Sequence, residues 1–189
     1  VCSSDLKIQY GTSMCYPVSS MGSHVSVVPN HQLNRKTPLH TRANVAYFGT
    51  FGYELDLNKL SDEEISEVKQ QITFMKEYRE LIQFGTFYRL KSPFEGNETV
   101  WMTVSEDKKT ALVFWYRERN VVNADFTRVR LQGLDPDLIY RNEYNETENY
   151  GDELMNLGLL TTDCTAGEPT SEDEPCTDYE SRIYVLTAK

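Results

Sequence analysis

Apolar and polar positions change period twice along this chain. Residues 7–32, KIQYGTSMCYPVSSMGSHVSVVPNHQ, start amphipathic and pass through Gly11, Pro17 and Gly22 to an apolar run, Val25-Ser26-Val27-Val28, that closes at Pro29-Asn30-His31-Gln32. This pattern predicts the end of a helix, a loop, a short buried strand and a polar mouth just past the strand, where α/β architectures build their sites. Pro38 suits the first turn of a helix, which Thr41–Phe48 carries and Gly49 ends. Phe51–Leu57 alternates apolar and polar residues and predicts a second strand. A long helix comes next. Ser61 and Glu64 are spaced as a capping box, Leu60 and Ile65 as a hydrophobic staple, and Asp62, Glu63 and Glu64 load the first turn with negative charge. Ile65, Val68, Ile72, Met75, Leu81 and Ile82 then recur at helical spacing to about Gln83.

From Gly85 the grammar is that of strands and turns. Thr99–Val104, Thr110–Tyr116, Phe126–Gln132, Leu138–Arg141 and Arg182–Thr187 read as strands, and Ser105–Lys109 as the turn of a hairpin between the first two. In Thr127–Leu131 apolar and charged residues fall on opposite faces, so this strand covers a core with water outside. Many short strands without a further strong helix indicate a β-sandwich, with the domain boundary near 84–86. Residues 161–177, TTDCTAGEPTSEDEPCT, read as a solvated acidic loop.

Composition narrows the partners. With 39% hydrophobic and 12% aromatic residues the 189-residue chain has material for a packed core. A formal net charge of -10 argues against a nucleic-acid partner, which needs a basic face, and leaves neutral ligands such as sugars open. No apolar run approaches the roughly 20 residues of a membrane span, and no leader pattern opens the sequence. Cys2, Cys15, Cys164 and Cys176 have neither zinc-site nor disulfide-framework spacing, although Cys164 and Cys176 bracket the acidic loop. Reduced thiols and a cytoplasmic setting are the expectation. Residues 1–6 match poorly with the chain from Lys7 onward and read as a non-native, adapter-derived lead-in, with the chain a fragment beginning mid-element.

Several blocks in order resemble bacterial α-galactosidases of glycoside hydrolase family 36. They are KIQYGTSMCYPVSSMGSHVSVVPNHQ, Thr37-Pro38-Leu39, Thr41-Arg42, the run Phe48–Leu57, Phe87–Leu90, Ser92-Pro93-Phe94, Gly151–Asn156 and Ser181–Leu186. The resemblance implies the last part of a (β/α)8 TIM barrel over 7–84, followed by a C-terminal antiparallel β-sandwich over 85–189 with the acidic loop as an insertion. It implies retaining hydrolysis of terminal α-galactosides of raffinose or melibiose type by two aspartates, without cofactor or metal, in an enzyme that is often a tetramer. Both aspartates of the family precede the Ile-Gln-Tyr-Gly block, so the fragment is expected to be inactive alone. Asp5 falls where the family has arginine and receives no catalytic role. Ser23, His24, Asn30 and His31 are the barrel-mouth candidates for substrate contact.

Other groupings have plainer readings. His24, His31 and His40 lack the convergent ligand set of a metal site. Glu54 and Asp56, two apart on a strand, share a face that suits acid/base work, but a polar rim explains them more simply. Trp101, Phe114, Trp115 and Tyr116 could stack on sugar rings, though aromatics on strands usually form core. Asn97-Glu98-Thr99 and Asn145-Glu146-Thr147 match the glycan acceptor pattern, which arises readily by chance. A second reading of the whole is a non-catalytic β-sandwich module that binds carbohydrate or holds an oligomer together. A third is an inactive scaffold homologue.

Overall fold

A computed structural model describes residues 2–30, 34, 36–121, 126–161 and 178–189. The chain forms two compact units, Val1–Gly85 and Thr86–Lys189.

In the first unit helix α1 (Cys2–Thr12) leads to strand β1 (His24–Ser26), helix α2 (Leu39–Ala46), strand β2 (Gly52–Glu54) and helix α3 (Asp62–Phe84). The helix expected to end after Lys7 extends back through Asp5 and Leu6, and Leu6 is buried. β1 and β2 pair in parallel, with His24 opposite Gly52, Val25 opposite Tyr53 and Ser26 opposite Glu54. Both are shorter than the apolar patterns suggested. Val28–Pro29 is a cis peptide bond, and Asp56 leaves the extended run to cap a turn at Leu57–Lys59, accepting from the Asn58 amide at 3.1 Å.

The capping box of α3 forms as its spacing requires. Ser61 Oγ accepts from the Glu64 amide at 3.2 Å, and Glu64 Oε2 accepts from the Ser61 amide at 2.9 Å. Val68, Gln71, Met75 and Ile82 bury one stripe of the helix, while Ile72 stays on its exposed side. Four rings contact in series, Phe51 stacked on Tyr47, Tyr47 tilted against Phe74 and Phe74 tilted against Tyr78, with centroids 4.8–4.9 Å apart, and join the α2–β2 connection to α3.

The second unit is built on a six-stranded antiparallel sheet of β3 (Thr86–Lys91), β4 (Glu98–Val104), β5 (Thr110–Arg117), β7 (Ile139–Asn142), β8 (Glu148–Tyr150) and β10 (Glu180–Ala188), in spatial order β3-β4-β5-β10-β7-β8. β6 (Arg128–Val129) and β9 (Leu159–Leu160) form a separate two-stranded ribbon, with helix α4 (Gly151–Asn156) between β8 and β9. Val100, Met102, Val113, Trp115, Tyr184 and Leu186 pack from the sheet against Val129, Leu131, Leu134, Leu154 and Leu159. The alternate positions Trp101, Leu112, Phe114 and Tyr116 are also buried, which explains why β5 reads as the unbroken apolar run Ala111–Tyr116. The aromatics weighed as a sugar platform are therefore core.

The strand pattern differs from the expectation in two places. Phe126–Gln132 keeps its alternation, with Val129 and Leu131 buried, but pairs over two residues only, because the Leu131 amide leaves the ribbon to donate to the Leu154 carbonyl. β3 is a strand that the periodicity does not announce, since most of its residues are half-buried and neither face is marked. The helix α4 is a six-residue turn of chain that buries only Gly151 and Leu154, too short to show a period. The acidic loop beyond Thr161, with Cys164 and Cys176, lies outside the described residues.

Two substitutions test this packing. A Cβ on Gly151 would lie 1.9 Å from the Asp135 carbonyl oxygen, so Gly151→Ala forces backbone apart and should cost about 1–3 kcal/mol in urea unfolding. Ser61→Ala removes the cap of α3 and should cost about 1 kcal/mol.

Candidate functional site

The site candidates gather around β1 and are positioned by period-2 alternation. Val25 is fully buried, which sends His24 and Ser26 to the opposite face of the strand. Glu54, at the end of the neighbouring strand, lies on that same face. Its Oε2 is 2.6 Å from His24 Nε2, a contact between side chains about half and three-quarters exposed. This pairing separates the two carboxylates of β2. Glu54 orients an imidazole and Asp56 caps a turn, so they do not form an acid/base pair.

The backbone around β1 is held by buried polar groups. Arg42 on α2 donates from Nε to the Thr37 carbonyl at 3.0 Å and from Nη1 to the Ser26 carbonyl at 2.7 Å, fixing the end of the strand that leads to the polar mouth. Ser23 Oγ donates to the Ala46 carbonyl at the end of α2. Gly49 follows that helix at φ +156, where a Cβ would lie 2.5 Å from both Met21 O and Ser23 Oγ. Ser23 is thereby a buried tie between strand and helix.

Asp5, Gln9, Ser23, His24, Ser26 and Arg42 line a pocket of ≈ 110 Å³ between α1, β1 and α2. Gln9 Nε2 donates to the Val45 carbonyl at 3.1 Å, while Gln9 Oε1 is buried with no donor among the described residues. Burial raises the Asp5 carboxyl above its ordinary value, and His24 works against that rise. The lining offers hydroxyl, amide, imidazole and carboxyl groups suited to hydrogen-bonding a neutral polyol. Among the described residues it contains no second carboxylate beside Asp5.

Of the four expected mouth residues, Ser23 and His24 line this pocket. Asn30 sits in the turn beyond β1, where its carbonyl accepts from the Asn34 amide at 2.7 Å, and His31 lies outside the described residues. Gln9, Ser26 and Arg42 were missed. Arg42 was visible only as part of a block, because an arginine whose work is done on backbone carbonyls has no spacing signature. His40 is exposed on α2, and among the described residues no three His, Cys, Asp or Glu side chains converge on a metal-sized position.

Comparison with known proteins assigns the class. The melibiase family model matches residues 2–85, and that of the glycosyl hydrolase family 36 C-terminal domain matches residues 98–186, so both units are glycoside hydrolase units. α-Galactosidase AgaA of Geobacillus stearothermophilus is 54% identical over 156 residues, covering 82% of this chain and 21% of that protein. α-Galactosidase 1 of Pediococcus pentosaceus is 46% identical over 183 residues, covering 97% of this chain and 24% of the relative. The crystal structure of AgaA superposes with a TM-score of 0.90 at 46% identity, over 100% of this chain and 25% of that one. The chain belongs to glycoside hydrolase family 36 and spans about a fifth to a quarter of the length of these relatives.

Tyr53 gives the site region a pH signature. Its hydroxyl donates to Gln71 Oε1 at 2.7 Å, and burial, then the charge of Glu67, push it from 10.0 up to about 12. The folded chain thus holds this proton more tightly than the unfolded chain. The associated stability is complete below pH 10 and is lost as pH rises through about 12. Tyr53→Phe should flatten that alkaline loss in urea unfolding followed against pH.

Proposed function

We propose that this chain supplies the C-terminal part of an α-galactosidase that removes terminal non-reducing α-D-galactose from oligosaccharides. The observation that carries this reading is the match of the whole chain, at 46% identity and a TM-score of 0.90, to an enzyme of that name. On this reading residues 7–84 are the last part of a (β/α)8 barrel, with β1 and β2 as its final two strands, and residues 85–189 are the β-sandwich that succeeds it. The parallel pairing of β1 with β2, each followed by a helix, supports the barrel assignment. Variants of AgaA have been crystallised with stachyose and with raffinose, which supports α-galactosides of that type as substrates here.

The proposed chemistry is double displacement. One carboxylate attacks the anomeric carbon, and a second, about 5–5.5 Å away, protonates the leaving oxygen and then activates water. The resemblance to family 36 implies that both catalytic aspartates precede the Ile8-Gln9-Tyr10-Gly11 block, and they are assigned there. This segment contributes the wall, where His24, oriented by Glu54, and Asn30, just beyond β1, offer hydrogen bonds to sugar hydroxyls. The enzyme is read as a cytoplasmic homo-oligomer needing no cofactor or metal. No described helix is long and apolar enough to cross a membrane.

The test is hydrolysis of 4-nitrophenyl α-D-galactoside by this chain and by a chain extended upstream through a family 36 barrel. Activity in the extended chain only is the expected result. In that background His24→Ala should lower kcat/KM by about 10-fold or more, the loss of one positioned hydrogen bond. Activity in the short chain, or silence in both, would overturn the proposal, the second in favour of a non-catalytic carbohydrate-binding or oligomerisation module.

A further inference from the structure

β1 is a strand with one neighbour. It pairs with β2 in a two-stranded sheet, and among the described residues no strand lies along its other edge. Parallel strands belong to larger sheets, and an open strand edge is a template on which another strand can pair.

The cavity beside β1 carries a second mark of incompleteness, at its α1 end. Gln9 is 7% exposed, and its Nε2 is spent on the Val45 carbonyl at 3.1 Å, which fixes the amide. Its Oε1 is buried and accepts from no donor among the described residues. An acceptor left in that condition costs about 1–3 kcal/mol, a cost removed by any chain that brings an N–H or O–H to it. Ile8, one residue earlier on α1, lines the same side-chain-sized cavity of ≈ 110 Å³ and is 63% exposed. A bare aliphatic group beside an unpaired acceptor fits an occupant that is apolar in part and donates one hydrogen bond, as the side chains of an added strand do.

The walls of this cavity are held by the chain's own bonds. Gln9 ties α1 to Val45 of α2, Arg42 of α2 holds the Ser26 carbonyl, and Ser23 holds the Ala46 carbonyl. None of these ties uses a group from outside the chain. The matched structure of AgaA supplies the candidate occupant, since this chain covers 25% of it and leaves the remainder as chain of the same enzyme.

We propose that the open edge of β1 and the α1 end of this cavity form a seat for one more parallel strand, with a donor of that strand on Gln9 Oε1. The seat accepts the upstream portion of a family 36 α-galactosidase as a separate polypeptide, without a peptide bond between the two. This rests on the barrel reading proposed above and adds that the seat is built before its occupant arrives.

The experiment co-expresses this chain, carrying an affinity tag, with AgaA lacking the part that matches it. The two should co-purify in equal amounts and hydrolyse 4-nitrophenyl α-D-galactoside, which neither does alone. Ile8→Lys puts a charge on the seat while touching no buried group of this chain. It should leave the urea unfolding of the chain unchanged and lower the co-purified partner by about 10-fold or more, because docking would bury an unpaired charge. Gln9→Met, which removes the acceptor, should lower it by about 10-fold. Failure to co-purify would overturn the proposal, and so would an Ile8→Lys chain that captures its partner as well as the original. A covalently extended chain that is active while the separate pieces stay apart would overturn the seat and leave the barrel reading standing. Co-purification without activity, in the pieces and in the extended chain alike, would support the seat and overturn the catalytic reading.

Discussion

The first unit depends on the parallel pairing of two three-residue strands. Parallel neighbours cannot be joined by a tight turn and need a crossover. Here residues 27–51 supply it, with α2 lying against β1. Three ties hold that crossover: Arg42 to the Ser26 carbonyl, Ser23 to the Ala46 carbonyl, and the close approach of Gly49 to Met21. All act on backbone, so they fix where β1 ends and which way His24 and Ser26 face. The His24–Glu54 contact is then expected, since residues on one face of paired strands meet across the pair. The functional reading rests on that order of causes. Helix crossover sets the strand, the strand sets the face, and the face sets the polar groups offered to a ligand.

The second unit is organised differently, by the last strand in the chain. β10 inserts between β5 and β7 and pairs with β5 over eight residues, from Glu180 opposite Arg117 to Thr187 opposite Thr110. At its outer end Glu180 bridges Arg117 and Arg182, and both guanidinium groups also lie over the Trp115 ring. At the other end the Tyr140 hydroxyl donates to the Lys108 carbonyl at 2.6 Å and accepts from the Asp135 amide at 2.9 Å, tying β7 to the β4–β5 turn. The β10–β5 pairing joins residues on either side of the β6–β9 segment, a non-local contact of the kind that slows folding.

The features legible in the sequence are those whose signal is local. The capping box at Ser61 and Glu64, the apolar runs of β4, β5 and β10, and the turn at Ser105–Lys109 each depend on neighbouring residues, and each has its element in the structure. α4 and β3 were illegible because their burial is set by partners far along the chain. The same holds for the site. His24 could be named because it flanks an apolar strand, and its partner Glu54 was visible as one of two carboxylates. Their contact spans thirty positions and needed the strand register. Gln9 and Arg42 act on backbone carbonyls, which no side-chain pattern announces.

Amide hydrogen exchange tests the central claim most directly, that the β1–β2 unit belongs to a larger barrel which completes it. An isolated parallel pair of two short strands is marginal in water, whereas β5 and β10 sit inside a six-stranded sheet. In this chain alone, the amides of Val25, Ser26 and Tyr53 should exchange far faster than those of Leu112, Phe114 and Val185. In a chain extended upstream they should slow by orders of magnitude while the β5 and β10 amides change little. Equal protection of β1 and β2 in the two chains would contradict the account, because it would show that the strand pair is complete by itself.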